Sequence, residues 1–160
     1  MLAAGDFYEK SAKAAKKLGV RAVLLIGSDA RNRPQGELPD SICIAQYAPY
    51  SELFPRVALA VHQGGVGTTA QCLRAGRPML IMPYSHDQPD NARRIKRMGV
   101  AQVIQRSSYK PWRVARMVRA MLAEPEFEAR ARAAAEEVAR EDGVKTACDA
   151  LEVLHDRSRR

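Results

Sequence analysis

Apolar residues along this chain alternate between two arrangements: short, nearly unbroken runs, and longer stretches in which they return every three or four positions. The runs at 20–26, 41–46, 57–61, 78–82 and 101–104 have the length and density of strands. The first is apolar enough throughout to be covered on both faces. Helical spacing sets Tyr8, Ala12, Ala15 and Leu18 on one face of an opening helix, with Asp6 and Glu9 as a capping box and Gly19 as its stop. A second helix, over 68–75, is closed by Gly76; a third begins at Pro89, carries Ala92, Ile95 and Met98 inward and ends at Gly99. Helices over 111–123, 126–140 and 144–155 complete the pattern. The first of these presents Val114, Val118, Met121 and Leu122 on one face, and the last buries Ala147, Cys148, Leu151 and Leu154. Segment 27–40, rich in glycine, proline and charge, is a surface loop, and 51–54 is a single helical turn.

Strands alternating with helices at this spacing predict an α/β fold: a mostly parallel sheet, right-handed crossovers and helices on both faces. All 160 residues form one domain, with the C-terminal helices from about 111 onward. A net charge of +8 suits phosphorylated small molecules and leaves nucleic acid as a second class of partner. Cys43, Cys72 and Cys148 are odd in number and widely spaced, which argues against a disulfide framework or a zinc site and fits a reducing cytoplasm. No apolar run approaches the ~18 residues of a membrane helix, and the N-terminus lacks the layout of a signal peptide.

Ligands of an open parallel sheet sit beyond the carboxyl ends of its strands, and here those ends carry distinctive chemistry. After the third strand come His62, then Gly64, Gly65 and Gly67, then the start of a helix: a cradle where an anion can approach the backbone and meet unpartnered N–H groups. His62, Thr68 and Thr69 add side-chain donors. Tyr47 follows the second strand and can stack on a planar base; Asp87 and Gln88 follow the fourth and can bind sugar hydroxyls. Each has a plainer alternative: Asp87 as a helix N-cap, His62 as a hydrogen-bonded strand-end residue, Tyr47 as ordinary packing, the glycines as a tight turn. Arg93, Arg94, Lys96 and Arg97 read as a solvated helix face. The glycine turn is not a Walker A loop, since no lysine follows it.

Taken together, Tyr47-Ala48-Pro49, the run from His62 through Thr69, Arg74-Ala75-Gly76-Arg77-Pro78, and Pro83 followed by Asp87-Gln88-Pro89-Asp90-Asn91 resemble the donor-binding signature of nucleotide-sugar-dependent glycosyltransferases of GT-B fold. The likeness runs from about 5 to 154 and is nearest to the bacterial branch that glycosylates antibiotic aglycones, together with the sterol glucosyltransferases. It implies a Rossmann-like donor-binding half of a GT-B enzyme. It also implies a base on Tyr47 and Ala48, a diphosphate held by His62, Gly64, Gly65, Val66, Gly67, Thr68 and Thr69, and a sugar on Asp87 and Gln88. The donor would be a nucleoside-diphosphate sugar, uridine favoured and thymidine allowed. A hexose would pass with inversion to a hydroxyl of a small lipophilic acceptor, without metal or cofactor.

Plant members of the superfamily carry Trp, Gln and Glu where Tyr47, Tyr50 and Ala70 stand, which leaves the nucleotide open. The catalytic His–Asp base of the family lies in an N-terminal domain that this chain does not contain, so no catalytic residue is assigned and the isolated chain is expected to be inactive. A strand that in this fold precedes the helix near Asp6 and lies inside the sheet is also missing. A stand-alone nucleotide-sugar binding module and a basic nucleic-acid-binding domain are the competing readings.

Overall fold

The computed structural model describes residues 4–159. Two groups of parallel strands carry the fold. In one, β1 (Ala22–Leu25) pairs with β2 (Ile42–Ala45), Ala22 opposite Ile42. In the other, β4 (Met79–Ile81) lies between β3 (Ala60–His62) and β5 (Ala101–Val103), with Val61 opposite Leu80 and Leu80 opposite Gln102.

The core is organised on β4, where Met79, Leu80 and Ile81 are all 0% exposed. Their side chains alternate across the sheet as the strand period requires. Leu80 joins Phe7 and Ala14 of α1 (Phe7–Leu18) and Val114, Ala115, Val118 and Met121 of α5 (Pro111–Ala123). Met79 and Ile81 join Cys72, Ala92, Ile95, Ala131 and Ala134, from α3 (Val66–Arg74), α4 (Gln88–Arg97) and α6 (Pro125–Ala139). Helices thus cover both faces, and each fully buried side chain of this size contributes roughly 1.5–3 kcal/mol.

Helix α1 also spans the two strand groups. Ala12 and Ala15 pack on Leu24, Ile26 and Ile42, while the Tyr8 ring touches both clusters and its hydroxyl donates to the Leu25 carbonyl at 2.6 Å. The Asn32 carboxamide, 5% exposed, ties the loop after β1 to the chain start, accepting from the Ala4 N–H at 3.3 Å and donating to the Ile26 carbonyl at 2.9 Å.

Several expectations are corrected. The capping box does not form: Asp6 pairs with Lys10 at 2.7 Å, and Glu9 pairs with Lys13 at 2.9 Å and accepts the Gln35 N–H, so its carboxylate anchors the loop instead. Strand β1 is covered on one face only, because Val23 is 42% exposed. Residues 57–59 are not part of β3, which starts at Ala60. Met98 and Leu122 are exposed, Met98 because it follows the last turn of α4. The largest correction concerns α7 (Gly143–Ser158). Ala147, Cys148, Leu151 and Leu154 are all exposed, since no described element packs on this helix. Arg93 and Arg94 both bind Asp90, at 3.3 and 2.6 Å, which neutralises part of the basic face of α4.

Asn32→Ala is expected to cost about 1–3 kcal/mol in a urea titration, because it leaves a buried N–H and a carbonyl without partners.

Candidate functional site

Strand β3 ends at His62, which is 6% exposed because β4 and the following turn enclose it. The ring accepts the Gly64 N–H at its Nδ1, at 3.0 Å. That bond puts the proton of the neutral imidazole on Nε2. Nε2 is buried and has no hydrogen-bond partner among the described residues. Burial also holds the pKa down, at about 4 against the ordinary 6.5, so the ring is neutral at physiological pH. His62 therefore presents a buried, unsatisfied N–H donor, which buried polar groups seldom are.

The turn that follows depends on Gly64. Its φ is +89°, and a Cβ there would lie 2.8 Å from Ile81 Cγ2 and 3.4 Å from the Gln88 carbonyl. Only glycine permits both the left-handed backbone and this approach to the end of β4. Gly65 is the N-cap of α3, which begins at Val66, two residues before the expected start. Gly67 consequently lies inside the first helical turn with open space around it. Thr69 turns inward, 5% exposed, with both its N–H and its hydroxyl donating to the Gly65 carbonyl, at 3.0 and 2.9 Å. The outward donors are then the first three amides of the helix, on Val66, Gly67 and Thr68. Val66 and Gly67 are exposed and Thr68 is half-buried.

The third arm follows β4. Asp87 stands at the N-cap of α4, yet its side chain caps nothing. Its Oδ2 accepts instead from Asn91 Nδ2 at 2.6 Å, and the same nitrogen donates to the Gly64 carbonyl at 3.0 Å. Gln88 spends its amide oxygen on the N–H groups of Tyr84 and Ser85, at 2.7 and 3.2 Å, and among the described residues its NH2 has no acceptor. Between them His86 has φ +59°, a left-handed conformation costly for a residue with a Cβ. Its Nδ1 lies 2.7 Å from the Ser85 hydroxyl. Arg106 stacks on the Tyr84 ring at 4.0 Å from its centroid.

Hydrogen bonds thus join His62, Gly64, Asn91 and Asp87 into one cluster at the carboxyl ends of β3 and β4. Tyr47 is not tied to it: it is 80% exposed beyond β2, with Ala48 half-buried beside it. Asn91 received no role from the sequence, although an Asp and an Asn four apart at a helix start is a spacing at which side chains meet. Among the described residues no three His, Cys, Asp or Glu side chains gather as metal ligands, and no helix is long and apolar enough to cross a membrane.

Residues 14–153 match the family described as "Erythromycin biosynthesis protein CIII-like, C-terminal domain". The chain belongs to this family. Among curated proteins it is 39% identical over 149 residues to the O-mycaminosyltylonolide 6-deoxyallosyltransferase of Streptomyces fradiae, a match covering 88% of this chain and 32% of that one. It is 32% identical over 122 residues to a sterol 3-beta-glucosyltransferase of Eremothecium gossypii, covering 76% of this chain and 10% of that protein. Among solved structures, a glycotransferase of kitacinnamycin superposes with a TM-score of 0.85 at 26% identity over 95% of this chain and 40% of its own. Glycosyltransferase VinC, solved in complex with dTDP, gives 0.80 at 27% identity, over 94% and 37%. The fold is that of the C-terminal half of a GT-B glycosyltransferase, and the chain spans well under half the length of these relatives.

The depressed His62 pKa has a measurable consequence. Between about pH 6.5 and 4 the unfolded chain binds a proton that the folded ring refuses, so stability is unaffected above this window, falls as pH drops through it and levels off below. The contribution is roughly 3 kcal/mol at full extent. The difference in unfolding free energy between parent and His62→Gln is expected to trace this curve. A pH-independent difference would mean that His62 titrates normally.

Proposed function

We propose that the chain binds the nucleoside-diphosphate sugar of a glycosyl transfer, with the diphosphate on the first amides of α3 and on His62. The observation that carries this reading is the buried His62 Nε2–H without an acceptor among the described residues, set beside a helix start at which Val66 and Gly67 are exposed. A neutral donor and a helix N-terminus suit a polyanion whose charge grows as it departs. Thr69 supports the turn, since its donors already go to Gly65. Gly64 and Gly65 shape the cradle, and Val66, Gly67 and Thr68 supply the amides. Asp87 accepts from sugar hydroxyls and the NH2 of Gln88 donates to them. Tyr47, with Ala48, offers the base a stacking surface.

A pyrimidine nucleotide fits this reading. The sequence favours uridine, while VinC with its bound dTDP brings thymidine forward. In the complete enzyme, the donor transfers a hexose with inversion to a hydroxyl of a small lipophilic acceptor. The relative of Streptomyces fradiae carries a deoxyallosyl transfer in its name, and the relative of Eremothecium gossypii a sterol glucosyl transfer. The general base comes from a preceding domain, as does the wall that holds the acceptor in line.

His62→Ala is expected to weaken thymidine or uridine diphosphate by ~1.5–3 kcal/mol in calorimetry, the value of a hydrogen bond to a charged group. Unchanged affinity would make His62 a structural residue. Tyr47→Ala is expected to cost about 1–3 kcal/mol, and Tyr47→Trp less, if the base stacks there. With radiolabelled nucleotide sugar and a broad acceptor panel, the chain alone is expected to show no transfer. Turnover that vanishes in His86→Ala would instead place the base within this chain.

A further inference from the structure

We propose that Asn91 is a positioning residue that holds the phosphate turn and the sugar-binding carboxylate in register. The proposal rests on the diphosphate and sugar roles just given to the Gly64 turn and Asp87. Asn91 touches neither end of the donor; it braces the two groups that do.

The geometry is a single line of hydrogen bonds. The Gly64 N–H donates to His62 Nδ1 at 3.0 Å, and the Gly64 carbonyl accepts from Asn91 Nδ2 at 3.0 Å. The second proton of that nitrogen goes to Asp87 Oδ2 at 2.6 Å. One NH2 group therefore saturates its two donors on acceptors from different loops, the turn after β3 and the segment after β4. Asn91 is itself anchored, because its backbone N–H donates to the Asp87 carbonyl at 3.0 Å in the first turn of α4. The Gly64 backbone also lies close against the end of β4, since a Cβ built on it would meet Ile81 Cγ2 at 2.8 Å and the Gln88 carbonyl at 3.4 Å. The amide that holds the turn by its carbonyl thus also selects the rotamer of Asp87.

Solvent gives this bond its importance. Asp87 is exposed, and an exposed carboxylate on a short side chain samples several rotamers unless a neighbour selects one. Asn91 is half-buried and its amide is oriented by two bonds, so the choice is made before a ligand arrives. The chemistry also excludes the closest substitute. Aspartate at 91 has the same shape but no donor, and it would set a second carboxylate against Asp87 and the Gly64 carbonyl.

The test measures binding of thymidine diphosphate and of thymidine diphosphate glucose to the parent, N91A, N91D, D87A and N91A/D87A, with hydrogen exchange at the Gly64 amide as a ligand-free readout. N91A is expected to weaken the nucleotide sugar about tenfold and the bare diphosphate less, the scale of one charge-assisted hydrogen bond. N91D is expected to be worse than N91A for both ligands despite its conserved shape, so its loss is not a packing defect. In the D87A background N91A should cost the nucleotide sugar no more than it costs the bare diphosphate, the non-additivity of two residues acting as a unit on the sugar. Gly64 exchange should accelerate in N91A before any ligand is added. Equal losses for both ligands that add to those of D87A would overturn the coupling and leave a merely structural residue. Unchanged exchange and unchanged affinities in N91A would overturn the brace while leaving the donor reading intact. Faster exchange in a protein whose parent binds neither ligand would sink the donor reading and keep Asn91 as the brace of the turn.

Discussion

The complete burial of β4 is the constraint on which the rest depends. Leu80 must satisfy one helical layer while Met79 and Ile81 satisfy the other, so the strand is fixed in height and rotation by both at once. Everything at its carboxyl end inherits that precision. Ile81 is the residue against which Gly64 closes, and the chain leaving Met82 must turn within a few residues to start α4 at Gln88. The glycine turn and Asp87 belong to segments after two different strands, but both are referred to the same buried strand. A site assembled in this way needs few dedicated contacts of its own.

Its electrostatics follow from the same burial. A histidine enclosed by β4 and the turn loses its charge rather than its position, because desolvation disfavours imidazolium and leaves a neutral donor. The other donors of the proposed site are likewise uncharged: amides at a helix start and the NH2 of Gln88. Full positive charge is carried by other side chains, in a chain whose net charge is +8. For the proposed donor this division is apt. Long-range charge raises the encounter rate of a polyanion, while neutral donors bind it without the desolvation cost of a buried cation.

The arrangement of strands and helices was legible because β4 and its neighbours follow simple periodic rules. The succession of strands along the chain, the glycine turn and the helix after it could all be read from runs of apolar residues punctuated by glycine. What escaped the pattern depended on partners distant in the chain. Glu9 has the spacing of a capping residue, yet Gln35 competes for its carboxylate. Thr69 has the hydroxyl of a phosphate ligand, and its bond to the Gly65 carbonyl four residues back is not displayed by the motif. Leu151 and Leu154 have the spacing of a buried face, and periodicity records an apolar stripe without recording what covers it. Asn91 lay within the motif that carried the family resemblance, but its two acceptors come from two loops, and no one-dimensional pattern displays that.

The separation of the strands into two groups adds a distinction within the proposed site. His62, Gly64 and Asp87 follow strands of one hydrogen-bonded group, and direct hydrogen bonds link them. Tyr47 follows β2, in the other group, whose described connection to the first runs through the packing of α1: the Tyr8 ring between the clusters, its hydroxyl on the Leu25 carbonyl, and Ser11 within 2.8 Å of the Tyr109 hydroxyl. Side-chain packing on one helix resists shear less than a continuous ladder of backbone hydrogen bonds. Tyr47 is therefore joined to the rest by side-chain packing, whereas His62, Gly64 and Asp87 are joined by direct hydrogen bonds. In the proposed donor site the base would accordingly meet one exposed tyrosine rather than a closed pocket.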